Sequence, residues 1–350
     1  MTDESPLITL IIPTYKRPKL LRRALRSALN QTFSSFQVCV YDNASGDETK
    51  EVVEEFEDAR VKYHCHTQNI GMIGNYAFAL NEVKTPYFSL LSDDDLLFPW
   101  FFEEALKGFH CFPDSAFSAA STLILSAKGE IVRVPVDLWS KEGYFPPTEA
   151  LTEMIAKYPI PTCVLFRKEV IEEVPIDRDN ALTWDCDFLL QIAARYPIFV
   201  SKRPCGIFLH HSFSYSNAQN FEKWKDALNR MSERLSSLEH LSEEIRISLL
   251  RLIRNDLKAC NRAFIVQSIL NKEHEKASHY GMIFKRSYGN SHTLSLLLTF
   301  SKLSTFFPFL INILLLLKKI IRAKRRQYHY LYRHYASWLN STTVSYTQRD

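Results

Sequence analysis

Apolar and polar positions over the first hundred residues switch repeatedly between two periods. Leu7-Ile8-Thr9-Leu10-Ile11-Ile12, ended by Pro13, is a continuous, β-branched run and predicts a buried parallel strand. After Pro18, the positions Leu20, Leu21, Ala24, Leu25, Ala28 and Leu29 recur at helical spacing and predict an amphipathic helix. The succession repeats, with strands predicted over 36–41, 61–65 and 87–91 and helices over 49–56 and 74–83. Such alternation predicts an α/β layer around a mainly parallel sheet. Ligands of such sheets bind beyond the carboxyl ends of the strands. Polar residues stand at each predicted end: Thr14 and Arg17, then Asp42 and Asn43, then Asn69, then Asp93 to Asp95.

The stretch 110–215 is mixed. Strands are predicted over 116–125, 131–134 and 162–167, with a turn at Lys128-Gly129. Helices are predicted over 146–158 and 187–194. From 220 to 285 the pattern is helical and polar, with Leu235, Leu238, Leu241, Ile245, Leu249 and Leu252 as an apolar stripe. Residues 294–317 are strongly apolar but interrupted by Lys302, Pro308 and Asn312, so no uninterrupted piece reaches the ~20 residues that span a bilayer. Lys318 to Arg326 follow, then Tyr328, Tyr330, Tyr332 and Trp338. An apolar stretch with basic and aromatic flanks predicts a segment at the surface of an anionic membrane. A helical hairpin buried in a soluble domain or an oligomer is the alternative. The expected organisation is a catalytic α/β domain over 1–218 and a helical region over 219–350, with the membrane-associating segment at about 294–326.

Composition adds limits. Hydrophobic residues make up 46% and charged residues 23%, an ordinary globular balance, and a net charge of +4 does not by itself make a nucleic-acid binder. Nine glycines in 350 residues argue against Gly-rich phosphate loops. Seven cysteines with no C-x-x-C spacing support neither a zinc site nor a disulfide framework, and the reading is reduced thiols in a cytoplasmic protein. No basic n-region precedes Leu7–Ile12, so no signal peptide is expected.

Asp93-Asp94-Asp95, between a buried strand and Pro99, is the feature hardest to explain as structure, because adjacent like charges repel. Mg²⁺ or Mn²⁺ is commonly held by one or two carboxylates together with substrate phosphates. A solvated acidic turn is the plain alternative.

In this company the chain resembles the family 2 glycosyltransferases of GT-A fold. Four stretches carry the likeness in order: Ile11 to Arg17, Val40 to Thr49, Asn69-Ile70-Gly71 with Asn75, and Leu91 to Pro99. It covers roughly 5–215. The resemblance implies a Rossmann-like GT-A domain and an inverting, nucleotide-sugar-dependent transfer with UDP as the usual nucleotide. It places Pro13, Thr14, Tyr15, Arg17, Asn43, Ser45, Asn69, Gly71 and Asn75 around the nucleotide, with Asp42 accepting a hydrogen bond from the base. Ser92 and Asp93 fall beside the ribose or sugar, and Asp94 is implied as the best Mn²⁺ or Mg²⁺ ligand with Asp95 close by. Ser92 stands where many relatives carry a carboxylate. A base is implied at Asp185, just before a helix, with Trp184 and Asp187 as acceptor-side candidates. His211, or His210, follows a predicted strand and is a further candidate for the metal or the diphosphate. The Gln-x-x-Arg-Trp motif of processive synthases is not found, which favours addition of one sugar.

The expected partners are a nucleotide sugar, a glycan or lipid-linked glycan acceptor and the inner face of the cell membrane, without nucleic acid. Two other classes compete: a nucleotidyltransferase of sugar phosphates, which would carry a Gly-rich loop after its first strand, and a non-catalytic binding protein on a degenerate transferase fold.

Overall fold

The computed structural model describes residues 5–126, 129–154, 157–210, 221–239, 241–289, 291–306 and 311. The chain divides into two compact units, one within residues 1–212 and one within 213–331.

The first unit is built on a ten-stranded mixed sheet. β1 (Ile8–Thr14) pairs in parallel with β2 (Phe36–Asp42) on one side and β4 (Tyr87–Leu90) on the other, and β3 (Val61–Cys65) extends the β2 side. The chain therefore steps outward from β1 to β3 and then returns to the opposite flank of β1. This reversal makes the crevice between the ends of β1 and β4 the topological switch point, where open α/β sheets take their ligands. The connecting helices are α1 (Pro18–Leu29), α2 (Thr49–Glu54) and α3 (Met72–Asn81). Pro18 begins α1 with its φ already near the helical value, at a position where its missing N–H costs nothing.

Beyond β4 the sheet turns mixed. β9 (Val164–Arg167) runs antiparallel to both β4 and β6 (Phe117–Ser126), and the long β10 (Ile198–His210) is parallel to β6. Three short strands, β5 (Leu96–Leu97), β7 (Ile131–Arg133) and β8 (Gly143–Phe145), add antiparallel ladders to β10, β6 and β10 respectively. β5 approaches closely because Gly206 has no side chain: a Cβ there would sit 2.7 Å from the Leu96 carbonyl oxygen and 2.7 Å from Cys163 Sγ. The main core lies where α1 and α4 (Phe101–Cys111) bury Leu21, Leu25, Phe102 and Phe109 against Leu10, Ile12 and Val38. This is the apolar run of β1 meeting the stripe of α1, the burial that makes each element stable in the company of the other. α5 (Pro147–Met154), α6 (Val170–Glu173) and α7 (Trp184–Arg195) complete this unit.

The second unit is helical: α8 (Phe221–Ser236), α9 (Glu243–Leu270), α10 (His274–Tyr288) and α11 (His292–Phe306). Ile265, Ile269, Ala277, Phe284 and Leu294 form its core. Ser242 caps α9, its hydroxyl accepting from Ile245 N at 3.4 Å. Leu296 on α11 is 70% exposed. No described helix is long and apolar enough to cross a membrane. Most of the predicted membrane-associating segment, 307–326 except 311, lies outside the described residues, as do the aromatic residues from Tyr328 onward.

Candidate functional site

The ends of β1, β2 and β4 converge because their registers align: Thr14 stands opposite Asp42, and Leu91, just past β4, donates from its N–H to the Ile11 carbonyl. The chain turns sharply after β1 through Lys16, which adopts φ 55° and donates from its N–H to Ser45 Oγ at 2.8 Å. Asp42 is buried and held through both of its oxygens. Its Oδ1 accepts from Ser45 N (3.0 Å) and Ser45 Oγ (2.5 Å), and its Oδ2 accepts from the Tyr63 hydroxyl (2.6 Å). Asn43 donates to Asn69 Oδ1 at 3.1 Å and accepts from Ile70 N, while Asn69 Oδ1 also takes the N–H of Gly71. Gly71 has φ 78°, a conformation only glycine adopts without strain, and opens α3. Asn75 ties that helix to the end of β2 through the Tyr41 carbonyl (2.8 Å) and meets His66 Nε2 (2.9 Å). Tyr15 projects from this rim 40% exposed, and a hydrogen bond to Asn69 and then the Lys16 ammonium draw its phenol below the usual pKa. Pro13, Thr14, Tyr15, Asp42, Asn43, Ser45, Asn69, Gly71 and Asn75 are thus brought to one end of the sheet.

The acidic run closes a tight turn, with Asp95 N donating to the Ser92 carbonyl. Its three carboxylates have three different environments. Asp93 accepts from Thr14 Oγ1 (2.8 Å) and from Arg17 Nη1 (3.2 Å), and burial, with Asp94 adding to it, pushes its pKa up to about 6. Asp94 is the partly accessible member, its side chain 12% exposed and 2.9 Å from the same Arg17 nitrogen. Burial works against the charge of Arg17, but Asp93 and Asp94 outweigh it and hold the guanidinium more firmly charged than usual. Arg17 is therefore tied to the acidic turn through both carboxylates.

Asp95, expected from the sequence as a second metal ligand, is held by contacts from two other parts of the fold. It has no exposure, its Oδ2 accepts from Thr162 Oγ1 (2.6 Å) and its Oδ1 from Leu209 N (3.0 Å). It works as a strut between the acidic turn, the approach to β9 and the end of β10. Burial, and after it Asp94, holds its carboxyl pKa well above the usual range. Asp95→Ala is expected to cost about 3 kcal/mol of stability, because two buried donors lose their acceptor. Urea unfolding checks this, and a midpoint matching the wild type would remove the strut role.

Asp185 lies in the first turn of α7, and Asp187 follows within the same helix. Asp185 sits inside the helix, where the sequence predicts a helix over 187–194 that starts after it. The start is earlier because Asn180 and Thr183 bond to each other through side chain and backbone, ordering the chain just ahead of Trp184. Asp185 Oδ1 accepts from Cys186 N at 2.9 Å, and burial raises its carboxyl pKa. Asp187 is buried and takes the Gln191 side-chain amide (3.3 Å), which in turn accepts from Arg195 (2.7 Å), so it serves the helix itself. Trp184 is 6% exposed and packs on Tyr76 with ring centroids 4.5 Å apart.

Tyr76, which nothing in the sequence singles out, joins the two acidic regions. Burial raises its phenol pKa, Ser92 hydrogen-bonds to it, and Asp93, Asp94 and Asp185 all act on it electrostatically. Ser92, Asp94 and Asp185 therefore all act on one buried tyrosine, although more than 90 residues separate the last two. His210 ends β10 and is exposed, whereas His211 lies outside the described residues. Among the described residues no group of three or more His, Cys, Asp or Glu side chains is arranged to hold a metal ion. The pair Asp93 and Asp94 still fits a hard cation that completes its shell with phosphate oxygens, since such sites take only one or two protein carboxylates. A hollow of about 660 Å³ beside Tyr41, His64 and Phe78 is lined by none of the acidic run.

Residues 9–175 match the family model described as glycosyl transferase family 2. A Campylobacter jejuni protein, GalNAc(5)-diNAcBac-PP-undecaprenol beta-1,3-glucosyltransferase, is 36% identical over 96 residues, 26% of this chain and 31% of that protein. Curated relatives of this kind are matched over about a third of their length or less. Among solved structures, S. aureus TarS 1–349 in complex with UDP-GlcNAc superposes with a TM-score of 0.64 at 14% identity, covering 84% of each chain. Mannosyltransferase PcManGT from Pyrobaculum calidifontis, in complex with GDP-Man and Mn²⁺, gives a TM-score of 0.53 at 15% identity over 88% of this chain and 83% of that one. At these identities the two structures establish a shared GT-A fold.

Proposed function

With residues 9–175 a glycosyl transferase family 2 domain, we propose that this chain moves one sugar, with inversion, from a UDP-sugar to a hydroxyl of a cell-surface or lipid-linked glycan. The observation that carries this reading is the meeting of Asp94 and Asp185 around Tyr76 at the switch point of the sheet. In the proposed step Asp185 takes the acceptor hydroxyl proton, the acceptor oxygen bonds to the anomeric carbon from the face opposite the diphosphate, and the sugar–phosphate bond breaks to release UDP. Asp94, with Asp93 beside it, would hold Mn²⁺ or Mg²⁺, which neutralises charge on the leaving diphosphate. Asp42 would offer a carboxylate lone pair to the imide N–H of uracil, in a position already fixed by Ser45 and Tyr63. Residues 1–218 would form the catalytic domain.

The Mn²⁺ complex of the Pyrobaculum mannosyltransferase supports the metal, and the undecaprenol acceptor named for the Campylobacter relative supports a lipid link. Residues 219–350 would then place the enzyme peripherally on the inner membrane face, through the apolar 294–317 and basic 318–326 segments. Full-length protein is expected to co-sediment with phosphatidylglycerol vesicles and to lose this at high salt. Equal recovery in the supernatant with and without vesicles would exclude the membrane role.

A thermal-shift screen of nucleotide sugars with Mn²⁺ tests the donor. A UDP-sugar at about 100 times its Kd contributes ~2.7 kcal/mol, a shift of roughly 5–10 °C for a domain of this size. Asp42→Ala should suppress most of it. A screen in which no nucleotide raises the midpoint would overturn the enzyme reading.

A further inference from the structure

Helix α1 carries one guanidinium whose surroundings the proposed reaction has not yet used. Arg22 is bonded twice to Glu55, Arg26 is exposed, and Arg17 at the head of the helix is shared between Asp93 and Asp94. Arg23 differs: its Nε and one terminal nitrogen are buried without a hydrogen-bond partner. Burial alone lowers its pKa, with no carboxylate acting on it. A guanidinium remains charged at any physiological pH. Two N–H donors of a cation are thus withdrawn from water with nothing to receive them, an arrangement that costs stability unless an anion completes it.

The position of Arg23 follows from the contacts of its own helix face. Arg23, Ser27 and Gln31 are spaced i, i+4, i+8 and share one face. Ser27 Oγ accepts from Leu97 N at 3.2 Å, and Gln31 donates to the Phe98 carbonyl at 2.8 Å and accepts from Phe102 N. This face therefore runs alongside the segment that leaves the acidic turn. At the head of α1, Arg17 reaches Asp93 and Asp94. Arg23 lies between these two anchors, about 6 Å along the axis from Ser27 toward Arg17. Helical side chains lean toward the N-terminus, the end of α1 that Arg17 joins to the acidic turn.

We propose that Arg23 binds an anionic phosphate oxygen of the ligand at this site, supplying the fixed positive charge that Arg17, held by two carboxylates, does not. The inference rests on the transferase reading for the identity of the ligand. The phosphate could belong to the donor diphosphate or to a phosphate-bearing acceptor lipid, and recognition by a planar guanidinium is the same for both.

The test compares wild type, Arg23→Gln and Arg23→Lys by titration calorimetry, using uridine, UDP with Mn²⁺, and farnesyl diphosphate as probes. Arg23→Gln is expected to weaken one of the two diphosphates by roughly tenfold or more, with uridine affinity unchanged and Arg23→Lys intermediate. Loss confined to UDP assigns the donor diphosphate, and loss confined to farnesyl diphosphate assigns the acceptor. Equal loss for uridine would show a structural role and overturn the proposal, as would both diphosphates binding Arg23→Gln as they bind wild type. If wild type binds farnesyl diphosphate through Arg23 but neither uridine nor UDP, the phosphate site stands and the UDP-sugar reading falls. If wild type binds none of the three, both fall.

Discussion

Asp94→Asn is expected to reduce kcat for sugar transfer by roughly a thousandfold or more while leaving the fold intact. The substitution keeps the shape and removes the charge at the more accessible member of the acidic run. If that carboxylate holds the cation beside the leaving diphosphate, several kcal/mol of charge stabilisation in the transition state depend on it, and each 1.36 kcal/mol is a factor of ten. Stability should change little, because the side chain is at the surface of the turn and Arg17 keeps Asp93 as a partner. Initial rates at saturating UDP-sugar and Mn²⁺, with circular dichroism as the fold control, read this out. A kcat within tenfold of wild type would remove Asp94 from the proposed site.

Asp185→Asn is expected to lower kcat by about 10²–10⁴, the usual contribution of a positioned general base, with donor affinity nearly unchanged. The pH dependence adds a second signature. Burial raises the Asp185 pKa, so the proton is retained to higher pH than on an ordinary carboxylate. The base form appears as pH rises through that raised value, giving an acid limb that the variant should lack. Stability runs the other way. The folded state binds this proton more tightly than the unfolded state, so the contribution of Asp185 to stability falls as pH rises from the unfolded pKa, near 3.9, through the folded one. At neutral pH the variant should be as stable as wild type or slightly more so. A destabilised variant with an intact acid limb would make Asp185 a packing residue.

The two halves of the first unit differ in how far their fold can be read from local pattern. β1, β2 and β4 are legible because each is a short, mostly apolar run, and α1 because it shows a clean 3.6-residue stripe. β5, β7 and β8 are two or three residues long and exist through their partners, β10 and β6, so no window of sequence marks them. α4 has helically spaced apolar positions at 101, 102, 105, 106 and 109, but the aromatic run Trp100 to Phe102 masks the period. α9 extends over 28 residues although the predicted stripe reaches only part of it, since most of its length is polar.

The candidate site divides in the same way. The strand-end polar residues are visible because a polar group directly after a buried strand is conspicuous. The differences within Asp93-Asp94-Asp95 are not, because three identical side chains are told apart only by what the fold places around them: Thr14 and Arg17 for Asp93, Arg17 and partial exposure for Asp94, Thr162 and Leu209 for Asp95. Tyr76 is invisible for the same reason. It is one aromatic residue of an apolar helix, and its importance lies in the long-range approach of Ser92 and Asp185. Arg23 reads in sequence as one of several surface charges on α1, and only the burial of its nitrogens sets it apart.

The most direct test of the central claim is nucleotide release from a panel of nucleotide sugars by the full-length chain, with Mn²⁺ present and after chelation by EDTA. Slow release of UDP from one sugar donor, abolished by EDTA and by Asp94→Asn, is the predicted result. Release of pyrophosphate, or no consumption of any donor by folded protein, would contradict it.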